Sequence, residues 1–251
     1  MDLELSNKVA LVTGSSRGLG FTIARRLIDE GCSVVLNGRE AHTLNQRQQE
    51  LNNDVLAFAA DVTSPDECLL LMEKVENHFG RLDVLVCNVG TGKSVQPGKE
   101  SPEEWSRILN LNLNSATNII TAAEKLLSAS QGTIVCISSI CGQETLGAPV
   151  TYSAAKAALN SYVRGISRPY AAKGIRINAV APGNLLYGGS VWEQKLAEDA
   201  TAVQAMLDRE VAQRRLGTPE EIADWVIFLS SPRASFATGE IFIVDGGQVR
   251  S

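Results

Sequence analysis

The stretch Val9-Ala-Leu-Val-Thr-Gly14-Ser-Ser-Arg-Gly18-Leu-Gly20 decides the fold class of this chain. A short apolar run of the kind that forms a buried strand leads directly into three glycines, and a helical pattern follows them. Glycines at such a junction let the backbone turn tightly and approach a bound group closely. The unpaired N–H groups of the helix start attract an anion, so the stretch predicts a phosphate-binding turn. A purely structural turn is the alternative.

The rest of the chain alternates short β-branched runs with longer helical stretches. This alternation predicts βαβ units, and hence an α/β sandwich with a parallel sheet between two layers of helices. A hydroxyl residue followed by proline predicts a helix start at 64–65, 101–102 and 218–219. The first helix is expected to open near 17–20 and to end at Gly31. Seven strands are predicted, over 8–13, 33–37, 55–59, 82–87, 132–138, 176–180 and 240–244.

Composition narrows the class of protein. With 251 residues, of which 44% are hydrophobic and 20% charged, the chain can form one α/β domain with a large core. A net charge of −5 without any basic run argues against a nucleic-acid partner. The start of the chain fits neither a signal peptide nor a membrane span. Five cysteines without CxxC pairing indicate a reducing compartment, the cytoplasm, and two histidines without ligand spacing predict no metal site.

The glycine spacing is GxxxGxG with a threonine before it, and this resembles the short-chain dehydrogenase/reductase family. The resemblance extends over nearly the whole chain. It implies a Rossmann-type doubly wound sheet of strand order 3-2-1-4-5-6-7 and a single NAD(P)-binding domain over residues 1–251. The turn residues to which it assigns cofactor binding are Gly14, Ser16, Arg17, Gly18, Leu19 and Gly20.

The end of the second strand, Asn37-Gly38-Arg39, indicates which nicotinamide cofactor is bound. A carboxylate here would hydrogen-bond the adenosine ribose and repel a 2′-phosphate, but Gly38 occupies the expected place. Arg39 and Arg17 are both positioned to bind a 2′-phosphate through charge-assisted hydrogen bonds. We therefore predict NADP(H), with solvated surface cations as the alternative role for both arginines.

Three further segments match family motifs around the cofactor. Asp61-Val62 resembles the pair that contacts adenine, with an ordinary helix-capping aspartate as the alternative. Asn88-Val89-Gly90 matches the motif that lines the adenosine, with valine in place of alanine. Pro182-Gly183 matches a turn beside the nicotinamide carboxamide. Tyr187 then departs from the pattern, because many relatives have a threonine there.

Tyr152 and Lys156 stand four positions apart on a helix predicted over 150–173. Side chains at i and i+4 project from the same helix face. A nearby ammonium favours phenolate, so we expect the Tyr152 pKa to be drawn down from about 10 toward neutrality. Tyr152 would then exchange a proton with a substrate oxygen. By family resemblance, Lys156 also binds the nicotinamide ribose. Such a pair occurs often on exposed helices, so its context decides its role.

Two polar residues supply that context. Ser139 lies thirteen positions before the tyrosine, where the family keeps the serine that orients the substrate oxygen. Ser138 is next to it, but strand alternation sends the two side chains opposite ways. Asn112 matches the helix-borne asparagine that holds a relay water in the family, although Asn110 and Asn114 are close alternatives. Ser139 as an acyl-transfer nucleophile would lack a histidine base.

Residues 182–199 are rich in glycine and aromatics and are predicted to be irregular, with a substrate lid around 184–210. Within it, Tyr187 and Trp192 either stack on a ring of the substrate or pack on the protein. The branch most resembled is 3-oxoacyl-[acyl-carrier-protein] reductase, which implies a small-molecule carbonyl or alcohol substrate. A sugar-derived ketone is the alternative substrate, and a non-catalytic dinucleotide-binding protein is the alternative function. Residues 236–247 resemble the family's last strand and subunit contact, which implies a homotetramer or homodimer.

Overall fold

The computed structural model describes residues 1–51 and 55–250. Their strands form one sheet in the order β3-β2-β1-β4-β5-β6-β7, and every neighbouring pair is parallel. The predicted fold class and strand order are therefore confirmed. The strands are β1 Val9–Val12, β2 Ser33–Gly38, β3 Val55–Ala59, β4 Val84–Cys87, β5 Thr133–Ile137, β6 Arg176–Pro182 and β7 Ile241–Val244.

Helices connect the strands and cover both faces of the sheet. No helix within the described ranges is long and apolar enough to cross a membrane. A π-helical turn, Asn110–Asn114, joins the fourth helix to the fifth, and 3₁₀ turns cover Ile140–Gly142 and Pro232–Ala234. The α-helices are α1 Gly18–Asp29, α2 Ala41–Leu51, α3 Pro65–Phe79, α4 Pro102–Leu109, α5 Ser115–Ser130, α6 Val150–Ala171, α7 Val191–Glu210 and α8 Pro219–Ser230.

The core lies in two apolar layers, one on each face of the sheet. Helices α3, α5 and α6 supply one layer, and α1, α2 and α8 supply the other. Strands β1, β4 and β5 are buried along their whole length. Strands enclosed on both faces need apolar residues at every position rather than at alternate ones. This explains why the near-continuous apolar runs in the sequence predicted strands correctly.

Helix starts also follow the sequence signals. Ser64, Ser101 and Thr218 each accept a hydrogen bond from the backbone N–H of the glutamate three positions further on. After α1, Gly31 adopts a left-handed φ of 84°, as predicted for the residue that ends this helix.

One prediction about the lid segment is wrong. Residues 182–199 are not irregular throughout, because α7 begins at Val191. Ser190 accepts a hydrogen bond from Glu193 N at 3.1 Å and so caps this helix. Helix α7 is kinked at Asp199, whose φ of −157° and ψ of 87° are extended. Ser190 with Glu193 three positions later is a sequence signal for a helix start, although glycines precede it.

The strand order places the loops that follow β1 and β4 side by side. Strand β1 pairs with β2 on one side and with β4 on the other, so the connections diverge at this point. In open α/β sheets, a crevice for ligands forms where strand order reverses, outside the carboxyl ends of the strands. The glycine-rich turn after β1 and the Asn88 segment after β4 meet at this crevice.

Candidate active site

Both the backbone angles and the close packing of the glycine-rich turn require glycine. Gly14 and Gly18 have φ values of 63° and 55°, a region that favours glycine. A Cβ atom on Gly20 would lie 2.5 Å from the Gly14 carbonyl oxygen and 2.5 Å from Asn88 Nδ2. The glycines therefore bring the start of α1 directly against the end of β1.

The N-terminus of α1 lacks the capping that other helices have. Arg17 stands at the cap position without any side-chain hydrogen bond, and no acidic residue lies in the first turn. In contrast, α3, α4 and α8 each have a hydroxyl cap and two acidic residues in the first turn. Free N–H groups and an uncompensated helix dipole suit a bound phosphate. The turn thus fits the pyrophosphate of a dinucleotide.

Asn88 fixes this turn through its side chain. Its Nδ2 donates to the carbonyl oxygens of Thr13 at 3.0 Å and Gly14 at 3.2 Å, and its backbone N–H donates to Thr13 Oγ1 at 3.0 Å. The family resemblance predicted that the backbone of this segment lines the adenosine and supports the sheet, without a role for the Asn88 side chain. Asn88 also ties the end of β4 to the end of β1, so it stabilises the crevice itself.

Arginines surround the end of β2. Arg17 and Arg39 are exposed, and neither guanidinium forms a hydrogen bond or ion pair with another described residue. Arg47, which the sequence reading missed, donates from Nε to the Ser16 carbonyl at 3.1 Å and pairs with a glutamate of α2. Its guanidinium also lies 4.7 Å from the Phe21 ring centroid. Nothing in the local sequence distinguishes Arg47 from a surface cation, because its partner turn is far away along the chain.

Asp61 and Val62 follow β3, as predicted. Asp61 Oδ1 accepts hydrogen bonds from the backbone and the hydroxyl of Thr63, at 2.9 and 2.8 Å. Asp61 is not the cap of α3, because Ser64 has that position. Val62 is buried. The carboxylate therefore supports the turn after β3, and its second oxygen has no hydrogen-bond partner among the described residues.

Tyr152 and Lys156 face the same cleft, a cavity of about 550 Å³ that reaches the glycine-rich turn at Leu19. Lys156 is only 3% exposed, and its Nζ donates to the Ile137 carbonyl at 2.8 Å. The same Nζ lies 6.0 Å from the centroid of the Tyr152 ring. The one-turn spacing along α6 therefore brings phenol and ammonium together at the end of β5.

The expected lowering of the Tyr152 pKa is wrong. Burial raises the pKa of Tyr152 to about 12, because desolvation disfavours phenolate, and the nearby Ser139 hydroxyl offsets only part of this rise. Burial also lowers the pKa of Lys156 to about 8. Desolvation is thus the largest cause of both shifts. Tyr152 consequently holds its proton at neutral pH, which suits an acid that protonates a substrate oxygen.

Ser139 and Ser138 diverge as strand alternation predicts. Ser138 is committed to Asn160, to which its hydroxyl donates at 2.5 Å. Ser139 caps the short 3₁₀ turn after β5, accepting from Cys141 N at 3.1 Å. Its hydroxyl also lies beside the Tyr152 phenol, and a hydrogen bond from it opposes the rise in the Tyr152 pKa. Ser139 can therefore donate to an oxygen bound in the cleft beside Tyr152.

Asn112 lies in the cleft wall, on the π-helical turn between α4 and α5 rather than on a regular helix. It is buried, and its amide exchanges hydrogen bonds with the backbone of Thr91, accepting at 3.0 Å and donating at 3.1 Å. The alternatives Asn110 and Asn114 bond to each other instead, with Asn110 exposed. The structure therefore separates the three asparagines, as the sequence did not.

Tyr187, in the segment predicted to form a lid, lies over the glycine-rich turn. A Cβ atom on Gly18 would be 2.9 Å from Cε2 of Tyr187, so this ring packs on the turn. The ammonium of Lys195 lies 4.4 Å from the centroid of the Trp192 ring. Gly183, in the predicted Pro-Gly turn after β6, packs against Asp245, whose Cα would be 2.8 Å from an added Cβ. Tyr187 thus makes a packing contact with the glycine-rich turn.

A family model described as "Enoyl-(Acyl carrier protein) reductase" matches residues 14–248, which includes all of these site residues. The chain belongs to the short-chain dehydrogenase/reductase family. Among its relatives, the 3-oxoacyl-[acyl-carrier-protein] reductase FabG of Chlamydia muridarum is 33% identical over 259 residues, covering 98% of this chain and 99% of the relative. Several bacterial FabG proteins match to a similar degree, which supports the predicted branch of the short-chain dehydrogenases.

Solved structures of other short-chain dehydrogenases share the whole architecture. L-Sorbose reductase from Gluconobacter frateurii, solved with NADPH and L-sorbose, has a TM-score of 0.93 and 30% identity, covering 100% of both chains. A 7α-hydroxysteroid dehydrogenase solved with NADH and 7-oxo glycochenodeoxycholic acid has a TM-score of 0.90 and 29% identity, covering 100% of this chain and 97% of its own. All three relatives are named for carbonyl or alcohol chemistry.

Gly90 of this short-chain dehydrogenase provides a test of the catalytic packing. A Cβ atom there would lie 2.7 Å from Asn112 Oδ1 and 3.2 Å from Lys156 Nζ. We expect Gly90→Ala to displace both groups and to lower kcat/KM for ketone reduction by about tenfold or more, a loss typical of misplaced catalytic groups. Gly92→Ala is the matched control, since nothing lies within 4 Å of its added Cβ. Equal activity of the two variants would mean that Gly90 has no part in the site.

Proposed function

We propose that this chain is an NADP(H)-dependent oxidoreductase that acts on a carbonyl or a secondary alcohol, and that it works chiefly as a ketone reductase. The observation that carries the proposal is the position of Tyr152 beside Lys156, in a cleft that also contains Ser139 and Asn112 and reaches the glycine-rich turn. The names of the relatives support the same reaction class.

The cofactor fits the turn because α1 has an uncapped N-terminus and glycines where a Cβ would collide. When bound, NADPH supplies a hydride to the carbonyl carbon. Tyr152 and Lys156 also contribute to its binding, at the nicotinamide ribose. The other residues proposed to hold it are Gly14, Ser16, Arg17, Gly18, Leu19, Gly20, Arg39, Asp61, Val62, Asn88, Gly90, Pro182 and Gly183.

The protein's own part in the reaction is to bind and protonate the substrate oxygen. Ser139 donates a hydrogen bond to that oxygen and orients it. Tyr152 transfers its phenolic proton to the oxygen, acting as general acid. The buried ammonium of Lys156 stabilises the phenolate that forms, because opposite charges attract strongly where water is excluded. Asn112 is proposed to hold the relay that returns a proton to this pair.

Cofactor selectivity is expected to depend on the exposed arginines. We expect the protein to bind NADPH more tightly than NADH, because Arg17 and Arg39 are exposed cations without an ion pair to any residue of 1–51 or 55–250, and no carboxylate stands at Gly38. Arg39→Ala is expected to weaken NADPH binding about tenfold and to leave NADH binding unchanged, as loss of one charge-assisted contact predicts. Fluorescence titration of both cofactors measures this, with Arg25→Ala on α1 as a control. Equal affinities of the parent protein for the two cofactors would refute the NADP(H) preference.

The substrate class is tested by a panel of carbonyl compounds with NADPH. The panel contains 3-oxoacyl thioesters, 2-enoyl thioesters, keto sugars and simple ketones. The FabG relatives favour the first class, and the L-sorbose reductase favours keto sugars. We expect ketone reduction and no reduction of the enoyl compounds. Tight NADPH binding without turnover on any compound would instead indicate a non-catalytic dinucleotide-binding protein.

We further propose a single domain over residues 1–251 with a lid at 184–210, and assembly into a homotetramer or homodimer with two-fold symmetry. The sheet ends at β7, where Ile243 is 40% exposed. Trp225 of α8 is 41% exposed and its ring lies 6.0 Å from that of Phe242 in β7. Large exposed apolar side chains at a sheet edge favour an interface. A cytoplasmic location is proposed from the cysteines, which are all free thiols.

A further inference from the structure

The chain after β7 turns back into the active-site cleft. The carboxylate of Asp245 accepts hydrogen bonds from the backbone N–H groups of Gly247, Gln248 and Val249, at 2.9, 3.0 and 2.7 Å. Gly246 and Gly247 both have positive φ, at 66° and 80°. This turn places Gln248 in a wall shared by the active-site cleft and a neighbouring cavity of about 370 Å³.

The turn is anchored from both sides. Asp245 packs against Gly183, which follows β6. On the other side, a Cβ atom on Gly247 would lie 2.8 Å from the Cβ of Ala212, and Gln213 N donates to the Gly246 carbonyl at 3.0 Å. The backbone therefore fixes where the Gln248 side chain lies, independently of any contact that this side chain makes.

The amides of Gln248 and Asn184 are only half satisfied. Gln248 is 6% exposed, and its Oε1 accepts from Asn184 Nδ2 at 2.9 Å. Gln248 Nε2 and Asn184 Oδ1 have no hydrogen-bond partner among the described residues. These atoms are not sealed in the protein, since within 1–51 and 55–250 only Glu100 Oε1 and Thr133 Oγ1 are fully enclosed without a partner. Asn184 is half-buried, so both atoms remain accessible to a group bound in the cleft.

Apart from the two atoms that bond to each other, the pair presents one amide nitrogen, which donates, and one amide oxygen, which accepts. This holds whichever way the two amides are oriented. Exchanging the oxygen and nitrogen of both amides would leave Asn184 Nδ2 and Gln248 Oε1 free instead. A hydroxyl group satisfies both atoms at once, because it accepts one hydrogen bond and donates another. A carboxylate, a phosphate or a thioester carbonyl only accepts, and so would leave the acceptor unpaired.

We propose that Gln248 and Asn184 form a specificity site for a hydroxyl group of the substrate, distinct from the carbonyl that Tyr152 protonates. The proposed substrate is thus a hydroxylated ketone, as in the keto-sugar class. This inference rests on the proposed function, because it places the hydroxyl on the molecule that is reduced in the same cleft. Gln248 is a specificity residue and takes no part in proton transfer.

The test compares NADPH-dependent reduction of cyclohexanone with that of 2-, 3- and 4-hydroxycyclohexanone, and includes 4-oxocyclohexanecarboxylate as an anionic probe. For the parent protein we expect kcat/KM for at least one hydroxy ketone to exceed that for cyclohexanone about tenfold or more, because a site built for a hydroxyl rejects its deoxy analogue. In Gln248→Leu this preference is expected to disappear, mainly because KM for the hydroxy ketones rises. The kcat/KM for cyclohexanone and the NADPH affinity are expected to stay within about threefold of the parent values. Gln213→Leu, an exposed glutamine beside Gly246, is the matched control.

Gln248→Glu provides a second variant that keeps the side-chain shape and removes the amide donor, and it is expected to lose part of the preference. Equal kcat/KM for the hydroxylated and plain ketones in the parent protein overturns the inference without any variant. A preference that survives in Gln248→Leu, or a preference for the carboxylate, also overturns it. Failure of the parent protein to reduce any ketone would instead contradict the proposed function, and the inference would fall with it.

Discussion

Tyr152→Phe is expected to lower kcat for ketone reduction by about 10²–10⁴-fold, the range that general acid catalysis contributes. The variant keeps the ring and loses only the proton that the substrate oxygen would take. Because the phenol lies in the cleft wall and is raised to a pKa of about 12 by burial, no deprotonated form competes near neutrality. Steady-state kinetics with a reducible ketone measure the loss, and NADPH affinity is expected to fall much less than kcat, because Tyr152 is only one of the residues proposed to bind the cofactor.

Tyr162→Phe is the matched control for this experiment. Tyr162 lies on the same helix, packs against the core, and its hydroxyl forms no hydrogen bond with another described residue. We expect this variant to retain full activity. Retained turnover in Tyr152→Phe would show that another group protonates the substrate, and equal losses in both variants would point to a defect of the helix.

The rate of ketone reduction is expected to fall as the pH rises through about 8. Burial lowers the pKa of Lys156 to about 8, so its ammonium is present below this pH and is lost above it. The phenolate left after proton transfer then has no neighbouring positive charge. We expect kcat/KM for reduction to be level below about pH 8 and to decline about tenfold per pH unit above it.

Lys156→Met is expected to remove this inflection and to lower kcat about 10²-fold or more, because the positive charge is absent at every pH. The pH profiles of the parent and the variant, measured with NADPH saturating, give the comparison. Lys173→Met is a control from just beyond the same helix, where the lysine pairs with Glu124 on the surface. An unchanged inflection in Lys156→Met would assign the titration to a different group.

The strands and helices were predictable because they depend on short-range patterns, whereas the strand order followed from the family resemblance. Strands such as β1 and β5 are buried on both faces, so their apolar runs stand out in the sequence. Ser64, Ser101 and Thr218 predict helix starts because a cap acts on residues within the same turn. Family spacing similarly locates Tyr152 and Lys156, which are held by one helix.

Contacts between distant segments were not predictable in this way. Arg47 bonds to Ser16, and Gln248 to Asn184, across 31 and 64 positions, so no local pattern marks either contact. Desolvation of Tyr152 likewise depends on the whole wall of the cleft. The sequence shows the ammonium one turn away but not the burial of the phenol. Asn112 could be separated from its neighbours only when the π-helical turn showed which asparagine faces inward.

The most direct test of the proposed reaction follows a deuterium label from the cofactor to the alcohol product. The protein is incubated with a ketone that it reduces and with NADPH carrying deuterium at the nicotinamide C4 position that is transferred, and the alcohol is analysed by mass spectrometry and NMR. We expect one deuterium on the carbinol carbon of each product molecule, and no product with Tyr152→Phe on the same timescale. The proposed reaction would be contradicted by an alcohol that carries no deuterium, whichever of the two hydrogens at C4 of NADPH is replaced by deuterium. It would also be contradicted by NADPH that binds but never yields an alcohol.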